Sequence, residues 1–203
     1  MKLYIKPGAC PLASHIALYE AGADFEVEVV DTETGLTASG ADFRAINPKG
    51  YVPALRLEDG AVLTEGAAVL QLIADRYPAA GLAPAPGSFE RARLHEALNW
   101  ISAELHKSFS PLFRASSTEA EKSAARGTVA KNFDRIEAQL ADGRTWIVGN
   151  RFSVADASLF VVANWANFTE IDLSRWPHLA GLVERVAARP AVQKAMKAEG
   201  LIP

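Results

Sequence analysis

The amino-acid sequence predicts an α/β unit followed by an all-helical unit. Residues 1–78 alternate short β-like runs with two helix-like runs, whereas the chain from residue 88 onwards has helical periodicity throughout. Residues 79–87, AAGLAPAPG, are rich in Ala, Pro and Gly, which is typical of a linker. We therefore expect two domains, 1–78 and 88–203, which suits a chain of 203 residues.

The first unit begins with the order strand, helix, strand. KLYIK (2–6) has the β-branched and aromatic character of a strand, and FEVEVV (25–30) alternates apolar with acidic residues. Between these two strands, residues 11–22 carry apolar side chains at helical spacing. The polar composition of residues 31–48 predicts a mobile loop or a poorly formed helix.

A hairpin and a second helix complete this unit. PALRL (53–57) and AVLT (61–64) flank Asp59-Gly60, a dipeptide that favours the tight turn of a hairpin, and residues 65–78 have helical periodicity. The strand-helix-strand order requires parallel pairing, and the hairpin requires antiparallel pairing. A small unit with such a mixed four-stranded sheet is thioredoxin-like.

Five helical runs make up the second unit. They are residues 89–113, 119–141, 153–168, 178–190 and 191–200. The first run carries a continuous apolar stripe formed by Leu94, Leu98, Ile101, Leu105 and Phe109. The third run is nearly all apolar, so we expect it to be buried, and its Ser153 and Asp156 predict a reciprocal capping box.

Composition excludes several classes of function. The formal net charge is -3, which argues against nucleic acid because phosphates require a basic surface. No stretch approaches the roughly 18 apolar residues of a membrane helix, and the first residues carry no secretory signal. The histidines are too scattered to pair as metal ligands. We therefore expect a soluble cytoplasmic protein that holds no metal and binds neither nucleic acid nor membrane.

Cys10 is the only cysteine, so an internal disulfide is excluded. It directly precedes Pro11, which suits the first position of a helix, and we expect the Cys10 sulfur to face the free amides at that helix start. This position favours the thiolate and hence a nucleophilic role. The alternative is a small buried hydrophobic residue. Ala13 stands where a second cysteine would complete a dithiol redox pair.

Five segments resemble segments of the glutathione S-transferases, and most closely those of the bacterial beta class. They are KLYIKPGACPLASHIAL (2–18), INPKGYVPAL (46–55), LTEGAAVLQLIADRYP (63–78), ALNWISAELHKSFSPLF (97–113) and GNRFSVADASLF (149–160). They occur in the order and spacing of that family, and the resemblance covers nearly the whole chain. It implies a homodimeric enzyme that uses glutathione as its co-substrate.

The resemblance implies that Val52 and Pro53 hold the backbone of glutathione. A cis Pro53, which the family has, exposes the N–H and C=O of Val52 to an extended peptide. Taken by themselves, these residues favour an ordinary turn with a trans bond, because most X-Pro bonds are trans.

The resemblance also implies a role for Glu65 and Gly66, which open a helix. It puts the γ-glutamyl carboxylate of glutathione on the Gly66 amide and the ammonium opposite Glu65. Many family members have Ser at position 66, whose hydroxyl adds a hydrogen bond that Gly66 lacks. By themselves, the residues favour a simple interaction of Glu65 with the helix dipole.

On the long helix, Asn99, Ala103 and His106 have the spacing of residues that share one face. The resemblance implies that Asn99 and His106 point at the thiol and the glycine end of glutathione. His106 would then stabilise the thiolate or accept its proton. Ala103, Glu104 and Lys107 complete the implied binding set. Without the resemblance, a lone helical histidine is more often a structural residue.

The loop near position 35 departs from the beta class. Proteins of that class often carry a lysine there that contacts the glycine end of glutathione, whereas this chain has Gly35 and no lysine between residues 31 and 48. A cation for the glycyl carboxylate must come from elsewhere, and Lys107 is the candidate.

The sequence therefore predicts a glutathione transferase that binds glutathione between its two domains, with Cys10 and His106 as catalytic residues. The glutathione sulfur would be conjugated to small hydrophobic electrophiles or exchanged with disulfides, in a detoxifying role. The second-substrate site is expected in residues 88–203, where core packing is the alternative role of the candidates Phe109, Phe113, Trp165 and Phe168. The alternative function is a non-catalytic binding or interaction protein on the same fold.

Overall fold

The computed structural model describes all residues of the chain, 1–203. The chain forms two compact units, of which one comprises residues 1–83 and 188–203 and the other residues 84–187. The first unit thus includes the end of the chain, which the sequence groups with the helical domain. None of the helices combines the length and the apolar character that crossing a lipid bilayer requires.

The first unit is built on a mixed sheet. Its strands are β1 (Lys2–Ile5), β2 (Glu26–Asp31), β3 (Leu36–Thr37), β4 (Ala54–Arg56) and β5 (Val62–Thr64), in the spatial order β3-β2-β1-β4-β5. β1 pairs with β2 in parallel and with β4 antiparallel, and β4 and β5 form the expected hairpin. The thioredoxin-like mixed sheet is confirmed, with five strands where the sequence predicts four.

The additional strand lies in segment 31–48, for which the sequence predicts a loop or a poorly formed helix. Besides β3, this segment contains a 3-10 turn, Phe43–Ala45, whose phenylalanine is buried against Tyr4 of β1. The Ser39 hydroxyl donates to Glu28 and is the main cause that lowers the pKa of Glu28 to about 2. Contacts with distant strands give the segment its structure, and a local pattern does not reveal such contacts.

Three helices belong to the first unit: α1 (Pro11–Glu20), α2 (Gly66–Arg76) and, at the end of the chain, α8 (Pro190–Ala198). α1 packs against both of the others. Directly after α8, the buried Glu199 lies 2.8 Å from Nδ1 of His15 on α1 and accepts a hydrogen bond from the Gly8 amide. These contacts explain why the last helix belongs to this unit.

Five helices form the second unit. They are α3 (Phe89–Trp100), α4 (His106–Phe113), α5 (Glu119–Leu140), α6 (Val154–Asn164) and α7 (Pro177–Ala187). A π-helical turn, Ile101–Leu105, joins α3 to α4. The predicted apolar stripe is confirmed, because each of its five side chains is at most 2% exposed. The π turn itself has no counterpart in the sequence pattern.

Helix α6 begins with the predicted capping box. Ser153 accepts a hydrogen bond from the Ala155 amide, and Asp156 accepts from the amide and the hydroxyl of Ser153. The second carboxylate oxygen of Asp156 accepts from the Ile147 amide at 2.9 Å and so fixes the preceding loop. Burial outweighs these hydrogen bonds and raises the pKa of Asp156 to about 6.

Replacing Asp156 tests how much this network stabilises the fold. In Asp156→Ala, the buried donors lose their acceptor, and we expect the free energy of unfolding to fall by about 3 kcal/mol. Urea denaturation measures the change. Asp172→Ala is the control, because Asp172 caps only a short 3-10 turn at the surface, and it should cost less than about 1 kcal/mol. Equal losses in the two variants would contradict this account of α6.

Candidate functional site

The residues that the sequence singles out lie on both units. The first unit contains Cys10, Val52, Pro53, Glu65 and Gly66. The second contains Asn99, Ala103, Glu104, His106 and Lys107. The first group offers a thiol, backbone hydrogen-bonding groups and a carboxylate, and the second offers an imidazole, an amide and two charged side chains.

Cys10 precedes α1 as expected, but the expected contact of its sulfur with free amides is absent. The residue has helical φ and ψ angles of -53° and -26°, and its side chain makes no capping hydrogen bond. The amides of Leu12 and Ala13 already donate to carbonyls of the preceding turn, so they cannot serve the sulfur. The sulfur lies instead 3.6 Å from the carbonyl oxygen of Val52. It is only partly buried, unlike a core cysteine.

Val52 presents an open backbone edge beside this thiol. The Val52-Pro53 peptide bond is cis, as the family resemblance implies. The N–H of Val52 donates to no group of the protein, and its C=O accepts only from the Cys10 thiol. One donor and one acceptor on a single residue form the pattern with which an extended peptide pairs.

Helix α2 begins next to this edge. Glu65 precedes the helix with a positive φ of 68°, and the amides of Gly66 and Ala67 donate to no group of the protein. A Cβ atom placed on Gly66 would lie 3.8 Å from Cγ of Pro53, so the helix start and the open edge are contiguous. Free amides at a helix start favour a carboxylate as their ligand.

Lys49 lies near the start of α2 and is a charged residue that the sequence analysis does not identify. Its Nζ lies 2.6 Å from Oε1 of Glu65, and both side chains are more than half exposed. Lys49 lies within INPKGYVPAL, one of the segments that resemble the family. A lysine in a turn carries no periodicity or motif that would identify its partner, because the partner lies 16 residues further along the chain.

In the second unit, the π turn interrupts the helix on which the sequence predicts a shared face for Asn99, Ala103 and His106. Asn99 lies before the turn, Ala103 and Glu104 lie within it, and His106 and Lys107 follow it. A π turn contains more residues than an α turn, so the regular spacing that relates Asn99 to His106 does not apply. His106 is partly buried, and the other four residues are exposed.

His106 lies against an aromatic group. Its ring centroid is 4.9 Å from that of Trp165, which also contacts Phe109 and Phe113 edge-on. Burial here, with the charge of Lys107 as the smaller cause, lowers the pKa of His106 to about 4. The imidazole is therefore neutral at neutral pH. Neither of its ring nitrogens has a hydrogen-bond partner in the protein, so both remain open to a ligand.

Exposure divides the four aromatic candidates for the second-substrate site. Phe109 and Trp165 are buried, as expected of core residues, whereas Phe113 is 53% and Phe168 is 71% exposed. The two exposed rings present apolar surface in the same unit as His106.

A cavity of about 590 Å³ lies elsewhere in the second unit, between α3, α5 and the loop before α6. Arg93, Arg135 and Arg144 line it together with apolar residues such as Ile101 and Ile147. None of the predicted catalytic or glutathione-binding residues lines this cavity. No group of three or more His, Cys, Asp or Glu side chains is placed to hold a metal ion.

Two protein-family models match the chain. The model described as "Glutathione S-transferase, N-terminal domain" matches residues 9–76, and that described as "Glutathione S-transferase, C-terminal domain" matches residues 100–190. Together, the two matches cover the greater part of both units.

Individual relatives match along the full length. Glutathione S-transferase GstA of Escherichia coli O157:H7 is 46% identical over 201 residues, which are 99% of this chain and 100% of the relative. A sphingomonad glutathione S-transferase, solved in complex with glutathione, is 48% identical with a TM-score of 0.96 and 100% of each chain covered. A bacterial beta-class glutathione S-transferase of Sphingomonas chungbukensis is 46% identical, with a TM-score of 0.97 and the same coverage.

The protonation state of His106 is measurable by NMR titration of its ring. Because its pKa in the folded protein is near 4 rather than 6.5, we expect the ring to stay neutral down to about pH 5. The stability contributed by this neutral ring is present above pH 6.5 and is lost as the pH falls towards 4. The His106→Gln variant identifies the resonance. A midpoint near 6.5 would contradict the burial of the ring.

Proposed function

We propose that Cys10 and His106 act on the reacting sulfur of a glutathione transferase. The chain belongs to the glutathione S-transferase family, and within it the chain is similar to bacterial beta-class proteins. The named relatives are transferases, which favours an enzyme over a non-catalytic binding protein on the same fold.

The unpaired backbone of Val52 is the observation that carries this proposal. An extended peptide that pairs with its N–H and C=O is held like an added strand. In glutathione, the central residue of the tripeptide carries the sulfur. Pairing of that residue with Val52 brings its sulfur near Cys10, since the Cys10 sulfur already lies 3.6 Å from the same carbonyl.

We assign the γ-glutamyl end to the start of α2. Its carboxylate accepts hydrogen bonds from the free amides of Gly66 and Ala67, and its ammonium pairs with the Glu65 carboxylate. Pro53 lies next to Gly66, so this subsite adjoins the Val52 edge. For the glycine end, the family resemblance supports a set in the second unit formed by Asn99, Ala103, Glu104 and Lys107.

His106 suits the role of a neutral hydrogen-bond donor better than that of a base. A ring with a pKa of about 4 is a weak proton acceptor at neutral pH, whereas its N–H can still donate to a thiolate. In conjugation, the glutathione thiolate attacks an electrophilic carbon, forms the carbon–sulfur bond and expels a leaving group such as halide, while the thiol proton passes to solvent.

Exchange chemistry would use Cys10. Its thiolate attacks one sulfur of a disulfide that contains glutathione, forms a mixed disulfide and expels the other sulfur as a thiolate. The partly buried state of Cys10 leaves it accessible to such an attack. Because the chain has no second cysteine, an external thiol must then release the product.

The remaining parts of the proposal concern partners and location. The exposed rings of Phe113 and Phe168 suit a small hydrophobic electrophile as the second substrate. The resemblance to bacterial beta-class proteins supports a homodimer, a cytoplasmic location and a role in detoxification.

A turnover assay with glutathione and an electrophilic aryl halide tests the activity and both residues. We expect His106→Ala to lower kcat/KM about tenfold or more, because the thiolate loses a hydrogen bond, and Cys10→Ala also to alter the kinetics. Circular dichroism should show an intact fold in both variants. His178→Ala is the matched control, because this exposed histidine pairs with Glu137 on α5, and it should leave the kinetics unchanged.

Unchanged kinetics in both variants would contradict the assignment of Cys10 and His106. If the wild-type protein neither turned over the aryl halide nor bound immobilised glutathione, the result would favour a non-catalytic binding protein. A mass increase on Cys10 after treatment with oxidised glutathione would support the exchange reaction.

Gly66→Ser tests the γ-glutamyl subsite. The added side chain meets only ordinary contacts with Pro53, so it fits, and its hydroxyl adds a hydrogen bond to the substrate carboxylate. We expect the KM for glutathione to fall about tenfold with kcat nearly unchanged. Gly127→Ser on α5, where no atom lies near the new side chain, is the control and should leave KM unchanged. An unchanged or higher KM in Gly66→Ser would argue against this subsite.

A further inference from the structure

The ion pair between Lys49 and Glu65 joins two segments that the proposed function uses. Lys49 Nζ lies 2.6 Å from Glu65 Oε1, and the two side chains are 55% and 70% exposed. Because solvent reaches both charges, neither is buried in the fold, and both are accessible to a ligand. Exposed pairs of this kind stabilise proteins little. The stability of the fold therefore does not explain why this ion pair is present.

The turn that carries Lys49 is held by a buried side chain. Asn47 is 2% exposed, and its Oδ1 accepts a hydrogen bond from the Lys49 amide. Its Nδ2 donates to the carbonyl of Tyr51 at 2.6 Å, and its own C=O accepts from the Gly50 amide. The backbone on both sides of Lys49 is thus fixed, so the lysine extends from a rigid turn.

The same turn leads directly into Val52, whose free N–H and C=O form the proposed peptide edge. Glu65 leads directly into Gly66, whose free amide faces the proposed carboxylate subsite. Lys49 and Glu65 consequently place a positive and a negative charge side by side at one end of that edge.

We propose that Lys49 and Glu65 together recognise the zwitterionic amino-acid end of the tripeptide, with Lys49 as a specificity-determining residue for its α-carboxylate. This inference rests on the proposed function and adds a residue to it. In the γ-glutamyl group, one carbon carries both an ammonium and a carboxylate. The ammonium pairs with Glu65, and the carboxylate pairs with Lys49 in addition to the helix-start amides.

The charges balance in this exchange. In the free protein, Lys49 and Glu65 satisfy each other. In the complex, the one ion pair is replaced by two, because the ligand contributes one charge of each sign. A ligand that keeps the ammonium and lacks the α-carboxylate gains no ion pair, since it only displaces Lys49 from Glu65. Recognition therefore favours peptides that begin with a γ-linked amino acid whose α-carboxylate is free.

The test combines a variant of the protein with a variant of the ligand. The variant Lys49→Met removes the charge and keeps the length of the side chain. The first ligand is S-methylglutathione, which has both charged groups and no free thiol. The second is its analogue with a γ-aminobutyryl group in place of γ-glutamyl, which lacks only the α-carboxylate. Isothermal titration calorimetry at one fixed salt concentration gives the four dissociation constants.

In Lys49→Met, Glu65 starts unpaired and gains one ion pair from either ligand, whereas in the wild type only S-methylglutathione gains one. We therefore expect the dissociation constant of the γ-aminobutyryl analogue to fall about tenfold in Lys49→Met and that of S-methylglutathione to change less than about twofold, so that the preference for the α-carboxylate is lost. Lys131→Met is the matched control. This lysine is exposed on α5, and its replacement changes the net charge of the protein by the same amount. It should bind both ligands as the wild type does.

Three results would overturn the proposal. An equal change in both dissociation constants in Lys49→Met, in either direction, would mean that the lysine acts only on Glu65 or through general electrostatics. Two unchanged dissociation constants would mean that the lysine takes no part in recognition. In both cases, binding of S-methylglutathione to the wild type leaves the proposed function standing. Failure of the wild type to bind S-methylglutathione would overturn the proposed function together with this inference.

Discussion

The proposed glutathione site depends on backbone groups that the fold leaves unpaired. The N–H of Val52 and the amides of Gly66 and Ala67 donate to no other group, although they belong to an otherwise well-bonded unit. Backbone donors are strong hydrogen-bonding groups, and a ligand that supplies acceptors to all three gains several bonds at once. A Cβ atom placed on Gly66 would lie 3.8 Å from Cγ of Pro53, so the start of α2 lies next to the Val52-Pro53 segment.

Side chains of both units supply chemistry that the backbone edge lacks. The Cys10 thiol lies 3.6 Å from the carbonyl oxygen of Val52, so a thiol lies beside the proposed peptide-binding edge. In the helical unit, the aromatic surroundings of His106 keep its imidazole neutral, so this residue can donate a hydrogen bond without carrying a charge. The proposed function assigns peptide recognition to the backbone of the first unit, and the hydrogen-bonding imidazole and the second-substrate rings to the helical unit.

The sequence predicts the regular elements of this fold well, because their patterns are local. The hairpin at Asp59-Gly60 and the capping box of Asp156 depend on neighbours within a few residues, and both are confirmed. Features that depend on distant partners are missed. β3 forms against β2, and the last helix is assigned to its unit by Glu199, whose partner His15 lies at the other end of the chain.

The candidate site follows the same division. Val52 and Gly66 were identifiable because they lie in segments with family motifs, whereas Lys49 becomes recognisable only when Glu65 is placed beside it. The sequence predicts that the Cys10 sulfur faces free amides, but hydrogen bonds of the preceding turn occupy those amides. Amide hydrogen exchange at Val52 tests the central claim most directly. We predict that exchange of this amide slows strongly when glutathione is added, and an unchanged exchange rate in the saturated protein would contradict the account.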